Sequence, residues 1–552
     1  MQQLAAGVVQ DKGVTAPVRA LAALGSGGKF QGNCGRDYAR FVASRLKFPG
    51  MVLPYKIDIP ITKLEGLGTE YKPAFALLPH EVFSTLHAEW PAAFHLIFNT
   101  EKVPQFWERE RRHRTPPPRA AHTIPLRAWG DDASHCKTNA FMAMSWCSCL
   151  AFNLPATISR LIFGCLDLKQ CDLPSFEQFY SVFVWSMEQI FRGTHPSHNH
   201  DGVPWIELGD TARHQRAGTP LAGTWRAVLY EYTGDWKWLH EAFQIPWYYN
   251  VMQICWGCKA ENNSGPLCMT NFSHSGPCKS QAAQRPFSEY VAFHHGRLPA
   301  LARVWMFTLM WCLRIDWMHV GPLGCCSRVA GSCLITLCTE DRFGHFTGKW
   351  EIRINNALKS AYRQFKKWAR DMHLQHSHQC FTAAQLSCPE SSHQFPDLKS
   401  KAHNCVIVLR WISHVCAKDV HSEEAKLRSA LAWALSSLHI TFSGSPEILT
   451  EQQTAAVSRG GEVALSSWSR LGTLAATRES ALWTMIPKVH MLQHLVEFTV
   501  LTRRSPKGYW TFCEESQMHV HKLVGIKGHE SNVSKRLLEA GVVRFAQDLE
   551  KQ

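Results

Sequence analysis

The chain has 552 residues, 45% hydrophobic and 19% charged, which supplies ample material for buried cores and excludes wholesale disorder. The formal net charge is +14 with 29 histidines uncounted, a surplus that points to a polyanionic partner, nucleic acid before an anionic membrane. The start, MQQLAAGVVQDKGV, has no continuous apolar segment of signal-peptide length, so the 20 cysteines are expected to be reduced, some as metal ligands and most as small core residues.

Residues 1–50 are Gly- and Ala-rich and read as a weakly ordered segment. A small helical region is expected over 51–107, where apolar residues recur at helical spacing in 78–98 and are interrupted at Pro91. ERERRHRTPPPRAAH (108–122) is a basic, Pro-rich run. It reads as an exposed linker, or as a phosphate-contacting or nuclear-address segment.

The pattern then changes to short apolar runs. Ile124–Trp129 is a first strand that turns at Gly130 into Asp131 and Asp132. An acid there is either an ordinary turn residue or a ligand for a divalent cation. Ala140–Ala151 and Ile158–Leu166 follow as second and third strands, and Ser175–Arg192 as a helix with Ser175 available as its cap. After a His-rich loop, Trp225–Tyr232 is a fourth strand. Asp235 then either caps the helix Trp236–Phe243 or presents a second carboxylate at a strand end.

A small knuckle is expected within about 250–280, where Cys255 and Cys258 form a Cys-x-x-Cys element and Cys268, His274 and Cys278 are open candidates to complete four zinc ligands. Phe307–His319 reads as a fifth strand ending in Asp316 and His319. These are either a polar terminus or a carboxylate that orients a ring. The longest strongly apolar run, Val304–Leu313, is too short to span a bilayer, and no membrane is expected. Residues 320–480 read as an all-helical insertion. One helix in it carries Lys359, Arg363, Lys366, Lys367 and Arg370 on a basic side, which is either solvated or a track for a DNA backbone. In the C-terminal part, 481–552, His490 and His494 stand four apart. They either pack in the core, as buried histidines ordinarily do, or form a ligand pair for the Cys255/Cys258 site. Glu514 and Glu515 follow within a helix, then a basic tail.

Three strands, a helix and a fourth strand, with acids after the first and fourth, is the ordering of an RNase H-like core spanning 123–319 and completed by 481–552. The expected fold class is α/β: an RNase H-like mixed sheet with flanking helices, a large all-helical insertion, and a small Cys/His knuckle. In such a core the first and fourth strands are neighbours, so Asp131 and Asp235 would meet at one sheet edge. AVLYEYTGDWKWLHEAFQIPWYYNVMQICWGCKA (227–260), IDWMHVGPLG (315–324), PKVHMLQH (487–494) and YWTFCEES (509–516) occur in that order. Through them the chain resembles, over roughly 120–545, the cut-and-paste DNA transposases of the DDE type, specifically the CACTA-like group, related to the hAT-like transposases.

The resemblance implies that Asp131, Asp235 and Glu515 are the catalytic acids, with Asp132 and Glu514 as register alternatives, and that Asp316 and His319 form the D-x-x-H pair. It further implies two Mg²⁺ or Mn²⁺ ions, double-stranded DNA as partner (transposon ends and target), a homo-oligomer, and a nuclear location. The chain departs from the family pattern at Asp132, where glycine is usual, and at Ser516, where an acid is common. No site-specific DNA-binding domain is recognisable before residue 120. These departures leave as the alternative a catalytically inactive copy that binds DNA through its zinc knuckle and basic helices.

Overall fold

Tyr55, Ile57, Ile59 and Ile61 are buried while Lys56, Asp58 and Thr62 are exposed, a period of two that makes strand β1 (Tyr55–Thr62). In the computed structural model, which describes residues 52–62, 68–134, 140–169, 171–388, 394–418, 420–518 and 533–549, β1 pairs antiparallel with β2 (Thr69–Ala76). The hairpin belongs to the main sheet. The small helical region expected over 51–107 is therefore helical in its later part alone, at Pro79–Glu89, Pro91–Phe98 and Val103–Glu110. Residues 1–50 lie outside the described residues.

Five further strands are β3 (Thr123–Ser134), β4 (Ala140–Ser148), β5 (Leu161–Asp167), β6 (Arg226–Gly234) and β7 (Leu313–Ile315). The sheet order is β1-β2-β5-β4-β3-β6-β7. Strands β3, β4 and β5 are antiparallel neighbours, whereas β6 runs parallel to β3 and β7 parallel to β6. Alternate residues enter separate cores. Ala128, Met142 and Leu166 join the main one, while Trp129, Phe141 and Cys165 pack with Met518 and Leu537 from the chain's C-terminal part. The sheet is thus covered on both faces, as a strand buried by successive residues requires.

Helix α1 (Leu173–Arg192) begins with a capping box: Asp172 accepts from the Ser175 amide at 3.3 Å, and Ser175 Oγ accepts from the Asp172 amide at 3.0 Å. The cap is Asp172, with Ser175 three positions inside the helix. Helix α2 (Trp236–Ala242) follows β6 directly. The fifth strand is far shorter than the apolar run 307–319 suggests. Leu309–Cys312 and Trp317–Val320 are helical, and a π-helical turn over Gly321–Cys326 leads into α3 (Ser327–Thr339). The stretch Trp317–Thr339 is long and apolar enough to cross a bilayer, yet 89% of its apolar window is buried inside the protein.

The insertion continues with α4 (Trp350–Asp371), α5 (Ala402–Cys416), α6 (Glu423–Gly444) and α7 (Glu451–Thr477). The chain then returns to the sheet through α8 (Pro487–Thr502), a helix at 512–518 (α9), and α10 (Val533–Leu549).

Within the run 108–122, Arg111, Arg112, Arg119 and His122 are exposed, but Arg114 is held against the core. Arg114 donates to the carbonyls of Tyr230 at 3.2 Å and Met306 at 2.6 Å, and its guanidinium lies 4.5 Å from the Tyr230 ring centre. Carbonyl dipoles and a ring face satisfy this charge, which the sequence offers as a solvated one.

The return segment is locked by a buried ionic cluster. Glu231, fully buried on β6, accepts from Arg127 Nε at 2.8 Å, Arg314 Nε at 2.6 Å and Arg504 Nη1 at 2.9 Å. Burial would raise the Glu231 pKa, but the three guanidiniums hold it well below the usual carboxylate range. Glu231→Gln leaves three buried cations without their anion. We expect a loss of about 3–5 kcal/mol, read as a lowered midpoint in denaturant unfolding. An unchanged midpoint would show that the arginines are satisfied elsewhere.

Candidate acid cleft and metal centre

Gly130 on β3 is in register with Gly234 on β6, and Gly234 with Ile315 on β7. Asp131, Asp235 and Asp316 each come one residue later. Three acids therefore stand at matching positions across three adjacent parallel strands spaced by about 4.8 Å. Asp235 and Asp316 lie just past the ends of β6 and β7, and Asp131 lies inside β3, which does not turn at Gly130 but runs on to Ser134. The two glycines are needed there. A Cβ at Gly130 would lie 2.3 Å from the Trp238 indole and one at Gly234 2.5 Å from it, so their absence lets the indole of α2 lie across both strands.

Each acid does something different. Asp235 accepts from the Trp238 amide at 2.6 Å and caps α2. Asp316 is wholly engaged: it accepts from the amides of Met318, His319 and Thr511, from Thr511 Oγ1 at 2.8 Å, and from His319 Nδ1 at 2.7 Å. It orients the imidazole and anchors the residue that precedes α9. His319 Nε2 is then 3.8 Å from Glu515 Oε1. Burial lowers the His319 pKa, but Asp316, with Asp235 and Asp131 behind it, holds it above the usual value. Burial first, then Asp235 and Glu515, push Asp131 up to about 8, with His319 pulling the other way.

The neighbouring acids face elsewhere. Asp132 pairs with exposed Lys237 at 2.6 Å, and buried Glu514 accepts from Arg160 Nε at 2.6 Å. The structure thus brings together Asp131, Asp235, Glu515, Asp316 and His319, and leaves Asp132 and Glu514 out. Among the described residues, the oxygens of Asp131, Asp235 and Glu515 do not close to within 4.8 Å of one another as a single-ion site would.

One set of side chains does close that far. Cys255, Cys258, His490 and His494 are all buried and present ligand atoms within 4.8 Å of one another. Cys255 Sγ lies 3.3 Å from His494 Nε2, and Cys258 Sγ lies 3.2 Å from His490 Nε2 and 3.3 Å from His494 Nε2. A tetrahedral zinc with ordinary Zn–S and Zn–N bonds has ligand–ligand edges of about 3.5 Å, so the four atoms fit such an ion. The Gly257 amide donates to Cys255 Sγ at 3.2 Å. Although burial opposes it, Cys258 and His494 hold Cys255 well below the usual thiol pKa, while Cys255 and burial push Cys258 above it, so the two thiols share protons that a bound cation would displace.

Cys278 stands behind the cluster, 3.3 Å from His494 Nδ1, where it fixes the ring's orientation. Cys268 instead contacts Thr270 Oγ1 at 3.0 Å, and His274 is exposed. Lys359, Arg363, Lys366, Lys367 and Arg370 are all exposed along α4, over about 16 Å of helix. The first four make no ion pair among the described residues.

A scan against protein-family models finds no match, and a search of curated proteins finds no relative.

Proposed function

We propose that this chain is a DNA-binding protein of transposase descent, with an RNase H-like core that a zinc ion staples to its C-terminal helices. The observation that carries the reading is the Cys2His2 cluster. Its ligands come in pairs from two of the motif stretches by which the sequence resembles CACTA-like transposases, 227–260 and 487–494. The strand order β5-β4-β3-β6-β7, with β6 and β7 parallel to β3, supports the RNase H-like part. The formal charge of +14 and the exposed stripe on α4 support DNA as the partner. Nuclear location and assembly into a homo-oligomer follow from the same resemblance.

The test is salt dependence. Each phosphate contact contributes about one to the slope of log K against log salt. Replacing Lys359, Arg363, Lys366 and Arg370 by alanine is expected to reduce that slope by about 3–4 on duplex DNA, with the circular dichroism unchanged. An unchanged slope would assign these charges to solvent.

A specific observation favours a second reading, in which the same core also cuts and joins DNA: Asp131, Asp235 and Glu515 converge at one sheet end. The cluster fits divalent cations in its chemistry, because an all-oxygen, mutually repelling set is relieved by positive charge. Mg²⁺ or Mn²⁺, when bound, supplies activation of the attacking water or 3′-hydroxyl and stabilisation of the leaving oxygen. The chain's own part is to hold the carboxylates on three rigid elements and to keep His319 Nε2 beside Glu515 by means of Asp316.

A further inference from the structure

A cavity of about 260 Å³ opens beside the acids. Its lining includes Trp236, Tyr248, Tyr249 and Trp256 on one hand, and Lys488, at the start of α8, on the other. The rings are organised. Trp236 meets Tyr248, Tyr249 and Trp256 at 5.9, 6.1 and 5.7 Å between centroids, and His240 stacks flat on Tyr248 at 4.0 Å. Tyr249, whose ring lies 4.2 Å from that of Tyr248, remains 49% exposed. The Lys488 ammonium makes no hydrogen bond or ion pair among the described residues, in a lining that also carries Lys237, Arg314 and His319 beside Asp235 and Asp316.

The volume is below the usual 300–1,000 Å³ of a pocket for a drug-sized ligand, and suits a single planar ring system. Aromatic faces bind bases of any sequence by stacking, and an ammonium binds phosphate as a point charge. A paired base has both faces covered by its neighbours, so it cannot enter such a cavity without leaving the helix.

We propose that this cavity receives one unpaired nucleotide of a bound DNA strand, its base against Tyr249 and Trp236 and its phosphate at Lys488. The inference rests on the DNA-binding reading and names the strand feature that reading would prefer.

The experiment compares two duplexes of the same sequence on the full chain. One carries 2-aminopurine fully paired, the other carries it as a single-nucleotide bulge. The wild-type protein is expected to bind the bulged duplex roughly five- to a hundredfold more tightly and to quench its fluorescence by stacking. Tyr249→Phe keeps the preference and the quenching. Tyr249→Ala loses both while binding the paired duplex as the wild type does. If the paired duplex binds but the bulge gains nothing, or if its gain survives Tyr249→Ala, the pocket assignment is overturned and the DNA-binding reading stands. If neither duplex binds, that reading fails and the pocket falls with it.

Discussion

The wild type is expected to retain one equivalent of zinc on purification, and Cys258→Ser to lose it and to lower the thermal midpoint by on the order of 10 °C. The reason is topological. Cys258 and His490 are 232 residues apart in sequence, and a metal bound by the folded chain alone closes that loop. Closing a loop of this length is worth roughly 5 kcal/mol of unfolded-chain entropy, and each kilocalorie moves the midpoint of a large domain by about 2–4 °C. Cys268→Ser is the control, since its thiol meets Thr270 and not the cluster, and it should retain zinc and stability. Cys278→Ala should keep the ion but weaken it by about 10–100-fold, because the ring of His494 loses the partner that orients it. Elemental analysis, a chelator titration and thermal unfolding read all three. Full stability in Cys258→Ser, with no response of the wild type to chelator, would reduce the cluster to buried core residues.

How much of this was legible in the sequence depends on how local each signal is. Asp131 and Asp235 are both preceded by glycine at the end of an apolar run, and the structure gives one cause for both glycines, the indole of Trp238. The extents of β4 and β6 follow their apolar runs to within about three residues, because a strand buried on both faces must be apolar throughout. Strand β3, by contrast, does not turn at Gly130 but continues through Asp131 and Asp132 to Ser134, held by its pairing with β4 where its own residues are polar and partly exposed. The β1–β2 hairpin escaped, although KIDIPI alternates cleanly, because Pro60 and the pattern-poor segment before it argue against a strand. The fifth strand shrank to Leu313–Ile315 because an apolar run alone does not separate a buried strand from buried helical turns. His490 and His494 show the same spacing whether they fill a core or hold an ion. What decides between those roles is a loop more than two hundred residues away, which no local pattern reports. Lys488 and Thr511 lie inside the stretches 487–494 and 509–516, but nothing in those stretches marks them, and they are visible as site residues only once α8 and the start of α9 lie against β7.

The acid cluster makes its own prediction without any known DNA sequence. In cation-free buffer, the contribution of Asp131 to stability, read as the difference between the wild type and Asp131→Asn, is expected to fall as pH rises between about 4 and 8. Asp131 titrates near 3.8 when unfolded and is pushed up to about 8 when folded, by burial first and then by Asp235 and Glu515. In that window the folded chain holds a proton that the unfolded chain does not, so raising the pH withdraws stability. His319, whose folded pKa lies above its usual 6.5, adds a loss of the same sign from about that pH upward. The advantage of the wild type over Asp131→Asn should therefore shrink progressively across that window. Millimolar Mg²⁺ or Mn²⁺ should reduce the pH dependence of that difference, because a cation replaces the proton between the carboxylates. If the acids also perform phosphoryl transfer, Glu515→Gln should cost roughly a thousandfold or more in cation-dependent nicking of duplex DNA while leaving duplex binding intact. Glu514→Gln, whose parent carboxylate serves Arg160, should instead lose stability and retain nicking in the fraction that folds. A wild-type profile indifferent to divalent cations, together with no nicking, would remove catalysis and leave a zinc-stapled DNA-binding protein, because neither the Cys2His2 cluster nor the basic stripe depends on the acids carrying a metal.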